Sequence, residues 1–438
     1  MWDYMNAILR RFLFVVIMLS AHLFAGAQHM SDIQQDSLEH SHRIMSLDAG
    51  TKIYVDSVRR LISAFYVDQF RHFQDPAAPY FLFMSKDANL AMGIGGCVRM
   101  RAWYDWGGVH TSGFIPYFIP MHRNPAHTRR FDTTPAGSAL FFKVIGRNKT
   151  LGNYQLYIQA DFSGYESRDF KLKKAYAIIN DITIGYANST FSDPAALPPT
   201  IDAAGPNNKL TVTNVLVRWM HTFRHGLVTA FSVESPKRQI DVDNEFTEAV
   251  DQWMPDFSSF VQYEWNSSQH VRLAGIVRTL PYRDIKTSKN HNILGWGLQL
   301  SSIAKPTSRI TCYANASMGK GYASLGGDLL VGNYDLIGDK AVPGKLYAPK
   351  SYGWCLGLQY NFKPNLFSVI TFSESRYMPD RTVDGSEYKY GLYGAANLFW
   401  NMTARMQVGV EYNVGKRCNF NGENRWAQRV GALAQFSF

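Results

Sequence analysis

Trp426-Ala427-Gln428-Arg429-Val430-Gly431-Ala432-Leu433-Ala434-Gln435-Phe436-Ser437-Phe438 ends the chain. Val430, Ala432, Ala434, Phe436 and Phe438 are apolar. Arg429, Gly431, Gln435 and Ser437 alternate with them, and Leu433 is the one apolar intruder. Successive side chains of a strand point to opposite faces, so a period of two makes one apolar face and one polar face. A sheet with lipid on one side and water on the other requires that pattern.

Upstream the same period recurs. Candidate strands cover residues 88–104, 138–147, 151–163, 169–179, 182–190, 210–220, 227–234, 257–265, 269–280, 291–303, 308–318, 352–361, 366–375, 387–399, 404–414 and 426–438. Their connections alternate between long (105–137, 191–209, 235–256, 319–351, 376–386, 415–425) and short (148–150, 180–181, 266–268, 362–365). Long external loops alternating with short periplasmic turns are the habit of outer-membrane barrels, and an even strand number puts both ends on the periplasmic side. The terminal Phe438 at the end of such a strand resembles their C-terminal signal. The fold class read here is an all-β transmembrane barrel of about sixteen antiparallel strands.

Composition agrees. Charged residues are 18% of the 438 and aromatic residues 14%, against roughly 25% charged in soluble domains. The net charge of +10 is spread without a basic run longer than a pair such as Arg129-Arg130. Diffuse Arg and Lys fit a cationic lumen better than a nucleic-acid groove, although an uneven surface of no consequence would give the same total. Cys97, Cys312, Cys355 and Cys418 have no metal-ligand spacing; the first three fall in candidate strands and read as unpaired, with a bridge as the alternative.

At the N-terminus Arg10 and Arg11 precede the apolar run 12–19, and Ala25-Gly26-Ala27 forms an A-x-A site. Residues 1–27 therefore read as a signal peptide, too short to span a bilayer, which leaves a mature charge of +9 once Asp3, Arg10 and Arg11 are removed. Residues 28–79 read as a periplasmic spacer and linker, and 80–438 as the barrel. Ile44, Leu47, Thr51, Tyr54, Val58, Leu61 and Phe65 make an a/d seam interrupted by Gly50, so the helix is placed at 51–73. A short coiled coil between protomers and a lone amphipathic helix both fit.

The run Phe73-Gln74-Asp75-Pro76 and the first strand Ala91-Met92-Gly93-Ile94-Gly95-Gly96 resemble DcaP-like trimeric porins. So do Ile184-Gly185-Tyr186-Ala187-Asn188-Ser189-Thr190-Phe191-Ser192-Asp193 and the following Ala195-Ala196-Leu197-Pro198-Pro199-Thr200-Ile201-Asp202 with Gly205-Pro206-Asn207. The resemblance implies a homotrimer with a periplasmic coiled coil, passing small anionic solutes across the outer membrane and bounded by outer-membrane lipid. Tyr186 stands where many relatives carry Gln, so the solute does not transfer.

Selectivity in a wide barrel must come from an inserted loop and wall charges. The proline-rich connection 191–209 is the constriction candidate, with Ser192, Asp193, Leu197, Pro198 and Asp202; an ordinary external loop is the alternative. Pleat parity turns Arg99, Arg101, Lys143, Arg147, Arg218, Arg272, Arg278 and Arg429 inward, because a cation facing lipid at midplane costs about 2–4 kcal/mol. These cations form either one electropositive ladder or separate local pairs with lumenal carboxylates. No nucleophile elbow and no HExxH occurs, and His110, His122 and His127 lack metal spacing. The chain therefore reads as a porin, with a barrel enzyme and an adhesin or structural barrel as the alternatives, and no catalytic residue, metal or cofactor is assigned.

Overall fold

The computed structural model describes residues 43–46, 81–85 and 90–438, except 123, 164–168, 244, 267 and 333. The signal peptide at 1–27 and the helix at 51–73 lie outside the described residues. Ile44, the first member of the seam, sits in the short strand Arg43–Ser46. That strand pairs in parallel with Phe81–Met84, which pairs antiparallel with the start of the barrel.

Sixteen antiparallel strands form the wall. They are β1 (Leu90–Trp106), β2 (Ala139–Asn148), β3 (Gly152–Phe162), β4 (Phe170–Ile179), β5 (Ile182–Asn188), β6 (Thr213–Thr222), β7 (Leu227–Glu234) and β8 (Asp256–Asn266). Then follow β9 (Gln269–Asp284), β10 (Lys289–Thr307), β11 (Ile310–Lys320), β12 (Lys350–Lys363), β13 (Leu366–Met378), β14 (Tyr388–Asn401), β15 (Met406–Asn419) and β16 (Asn424–Ser437). Each pairs with its sequence neighbour. β16 closes the ring on β1, from Ser437 opposite Cys97 to Gln428 opposite Trp106. Closure satisfies every ladder and leaves no sheet edge inside the hydrocarbon, where an unpaired amide is costly.

Alternation sets the two faces. Val98 (62% exposed), Val215, Leu273, Phe372 and Val410 point outward, while their neighbours point in, and those of the last four are buried. Rings near the strand ends form the girdles: Tyr360, Phe362 and Trp400 at the short-turn end, and Tyr352, Trp354 and Trp426 at the long-loop end. Trp103 departs from this scheme, being 6% exposed and inward. Trp106 is outward and exposed.

Two boundaries move with consequence for the lumen. The first long connection contains a strand, Arg129–Thr134, which extends the wall beside Arg101–Trp106. β5 ends at Asn188 and β6 begins at Thr213, so the loop between them covers residues 189–212. The ladder stops there because the Thr190 amide turns away to the Glu234 carboxylate, at 2.9 Å. All four cysteines are free.

Candidate functional site in the barrel lumen

Loop 189–212 leaves the β5–β6 wall and reaches the opposite side of the barrel. Its first anchor is Glu234, which accepts the Thr190 amide, the Ser232 hydroxyl (2.7 Å) and Asn214 Nδ2 (3.1 Å). Its second is on β9 and β10. Arg272 Nη1 donates to the Ser192 carbonyl at 2.9 Å, while Asp193 Oδ2 lies 2.8 Å from His270 Nε2 and accepts from Ser301 Oγ at 2.5 Å. Burial would raise the Asp193 carboxyl, but Arg272 and His270 outweigh it and hold it well below the usual carboxylate range.

A third anchor catches the middle of the loop. Glu411 on β15 accepts the Ile201 and Asp202 amides, both at 2.8 Å, one on each oxygen. Asn397 and Asn413 donate to the same two oxygens at 3.0 and 2.9 Å. Asn397 also donates to the Pro199 carbonyl at 2.9 Å. Farther on, the Asn207 amide donates to Ser373 Oγ, and its side chain to the Gly391 carbonyl.

Two glycines on β12 admit the loop. A Cβ on Gly357 would sit 2.5 Å from Pro198 Cβ, and one on Gly353 would sit 2.3 Å from Asn208 Oδ1. A side chain at Gly357 would press on the Pro198 ring, and one at Gly353 would displace the Asn208 side chain. Leu197 is half-buried, and Ser192, Asp193, Pro198 and Asp202 are buried.

The first long loop also folds inward. The Phe114 amide donates to Asp202 Oδ1 at 2.8 Å, and the Thr111 and Ser112 carbonyls accept from Arg429. His110, His122 and His127 stay exposed on this loop around a pocket of about 190 Å³. No three-ligand metal group occurs among the described residues.

The eight cations that parity turns inward divide by what they touch. Arg429 makes a bidentate bridge to Asp105 at 2.6 and 3.0 Å. Arg278 lies between Asp256 (3.1 Å) and Asp335 (3.3 Å), and Arg272 lies 3.7 Å from Asp193. These three are local pairs, and they fasten loops. Arg218 and Lys143 are inward and fully buried, Arg218 with a long contact to the Asn188 carbonyl. Arg147 is exposed at the β2–β3 turn.

Arg99 and Arg101 differ. Arg99 Nε donates to Gln435, and Arg101 Nη2 to the Ala136 carbonyl. Neither forms a salt bridge among the described residues, and Arg101 Nε has no hydrogen-bond partner there. Lys209 of the inserted loop lies within electrostatic range of Asp202 first, and then of Arg101, Arg99 and Lys173. Asp202 and Glu411 lie within range of Arg101. Their oxygens, however, are already occupied, those of Glu411 by the four donors above and those of Asp202 by the Phe114 and Ala204 amides and the Tyr393 hydroxyl, which disperses their charge.

Closure, strand number and the inserted loop define the class: a sixteen-stranded outer-membrane-type barrel with a loop folded into its lumen. The fold is that of the DcaP-like porins. The outer membrane channel DcaP of Acinetobacter baumannii superposes with TM-score 0.70 at 19% identity, over 81% of this chain and 99% of that one. The anion-selective porin from Comamonas acidovorans superposes with TM-score 0.53 at 10% identity, over 80% and 100%. No protein-family model matches the chain, and comparison with curated protein sequences found no relative.

Proposed function

We propose that this protein is an outer-membrane diffusion channel for small hydrophilic solutes, with a preference for anions set at the level of loop 189–212. A barrel of this size leaves an aqueous lumen, and a loop tied to opposite walls narrows it. The observation that carries the anion preference is the set Arg99, Arg101 and Lys209. These cations face one another across the loop and the β1 wall without carboxylate bridges. Low-dielectric walls focus such a field and raise the local anion concentration. Arg272, Arg278 and Arg429 contribute less, because each is matched by a carboxylate.

The chain enters the export path through the peptide 1–27, and the mature protein begins at Gln28. It assembles as a homotrimer held in part by the 51–73 helix on the periplasmic side. Purified protein in planar bilayers tests the channel itself. Stepwise single-channel currents are expected, and a barrel that inserts but passes no current would leave an adhesin or scaffold as the better reading.

A further inference from the structure

The outer face of the barrel carries charge where lipid-facing residues are expected. On β13, Ile370 and Phe372 point outward and are exposed, and Thr371, Ser373 and Ser375 point inward and are buried. The same alternation turns Glu374 and Arg376 outward. They are bridged at 2.7 Å. Trp354 Nε1 donates to the other Glu374 oxygen at 3.3 Å, and the Arg376 guanidinium lies over Tyr390 at 4.4 Å and Tyr352 at 5.7 Å. The guanidinium is thus fixed between two rings by a carboxylate, with its side chain still 30% exposed.

Two lysines extend this group. Lys320 on β11 and Lys350 on β12 are directly opposite in register. Both share the outward parity, with Met318 and Tyr352 as outward neighbours and Gly319 and Ser351 turned in. Like charges directly opposite destabilise a sheet. Asp380 bridges Lys350 at 3.0 Å, which leaves Lys320 without a salt bridge among the described residues. Farther round, Lys416 lies over the outward Trp426 ring at 5.5 Å.

Depth selects the ligand. Along β12, Tyr352 and Phe362 are the outward rings nearest each end. At about 2.5 Å of height per tilted residue they are roughly 25 Å apart, the thickness of an outer-membrane apolar band. Arg376, paired with Tyr352, therefore sits at the upper boundary of that band. Lys320 and Lys350 lie just above it, at the level of outer-leaflet headgroups.

We propose that the outer rim of β11–β15 binds the phosphorylated sugar headgroup of an outer-leaflet glycolipid. Lys320, Lys350 and Arg376 take the phosphate, and the Trp354 and Tyr352 rings pack against the sugar and upper acyl region. The proposal rests on the outer-membrane orientation given above but not on conduction, since all these side chains face away from the lumen.

The test uses the full mature chain in nanodiscs. Native mass spectrometry measures binding of bisphosphorylated lipid A and of its dephosphorylated form, with inorganic phosphate as competitor. The comparison is Lys320→Gln/Lys350→Gln/Arg376→Gln. Wild type should bind the bisphosphorylated lipid at least about tenfold more tightly than the triple variant, since each basic group near a charged lipid surface contributes measurably. The dephosphorylated lipid should bind the two proteins alike. Heat-modifiable mobility and single-channel conductance should not change, which separates failure here from failure of the channel reading. Equal lipid binding by both proteins overturns the proposal. So does displacement by inorganic phosphate at equal concentration, which indicates a free-phosphate site. A lost oligomer with lipid binding intact also overturns it, because the rim is then a contact between copies.

Discussion

Replacing Glu411 by Ala should release the middle of the inserted loop while leaving the barrel closed. Glu411 is 3% exposed and accepts four donors: two loop amides and the side chains of Asn397 and Asn413. A buried donor left unsatisfied costs about 1–3 kcal/mol. Water entering the vacated space can satisfy the two asparagines, so the cost falls mainly on the Ile201 and Asp202 amides. About 3 kcal/mol lost from the tethered state raises the detached population roughly a hundredfold, at about 1.4 kcal/mol per tenfold. The other anchors, at Asp193 and Asn207, remain. The loop should therefore sway rather than leave the lumen. Planar-bilayer recordings should show higher mean conductance and added open-channel noise, with Glu411→Gln intermediate because it keeps one acceptor oxygen. Heat-modifiable mobility should be unchanged, since no ladder bond is touched. If Glu411→Ala folds and its conductance and noise match wild type, the loop does not set the constriction.

Asp193→Asn should disturb the same loop at its start, because it removes the charge that balances Arg272, and a broken buried pair costs about 3–5 kcal/mol. Limited proteolysis near residue 193 should become faster, and an unchanged cleavage rate would argue against the anchor. Asp328, in loop 321–349, is pushed up to about 7 by burial and accepts from the Tyr388 hydroxyl at 3.0 Å. A raised folded-state value means its contribution is present in acid and lost as pH rises through 7. Intrinsic-rate-corrected hydrogen exchange of residues 328–331 should be faster at pH 8 than at pH 6, and Asp328→Asn should remove the difference. Val58→Glu/Leu61→Glu should weaken the oligomer without unfolding the barrel, as seen by native mass spectrometry; a wild-type monomer would contradict the seam.

The wall was legible because a membrane barrel writes its two faces at a period of two, and each of the sixteen strands read from that period has a counterpart in the structure. The ends were less legible. On paper β5 runs on to Thr190, yet the Thr190 amide is claimed by Glu234, which belongs to another strand. Parity also placed the inward cations, but not their partners. Asp105 meets Arg429 only through closure of β16 on β1, and Asp193 and Asp335 arrive from loops. Glu411 and Glu234 could have been found, since the parity used for the cations turns both inward. Glu374 and Arg376 escaped because strand thirteen was ended at Ser375, one pleat before the outward pair completes.

The zero-current potential across a bilayer under a KCl gradient tests the central claim most directly, with wild type compared against Arg99→Glu/Arg101→Glu. Wild type should show a potential favouring chloride, larger at low salt, since the screening length is only about 10 Å at 0.1 M. The double variant should lose or reverse that preference without losing conductance. A cation-selective wild type, or a potential untouched by the double change, would contradict the account.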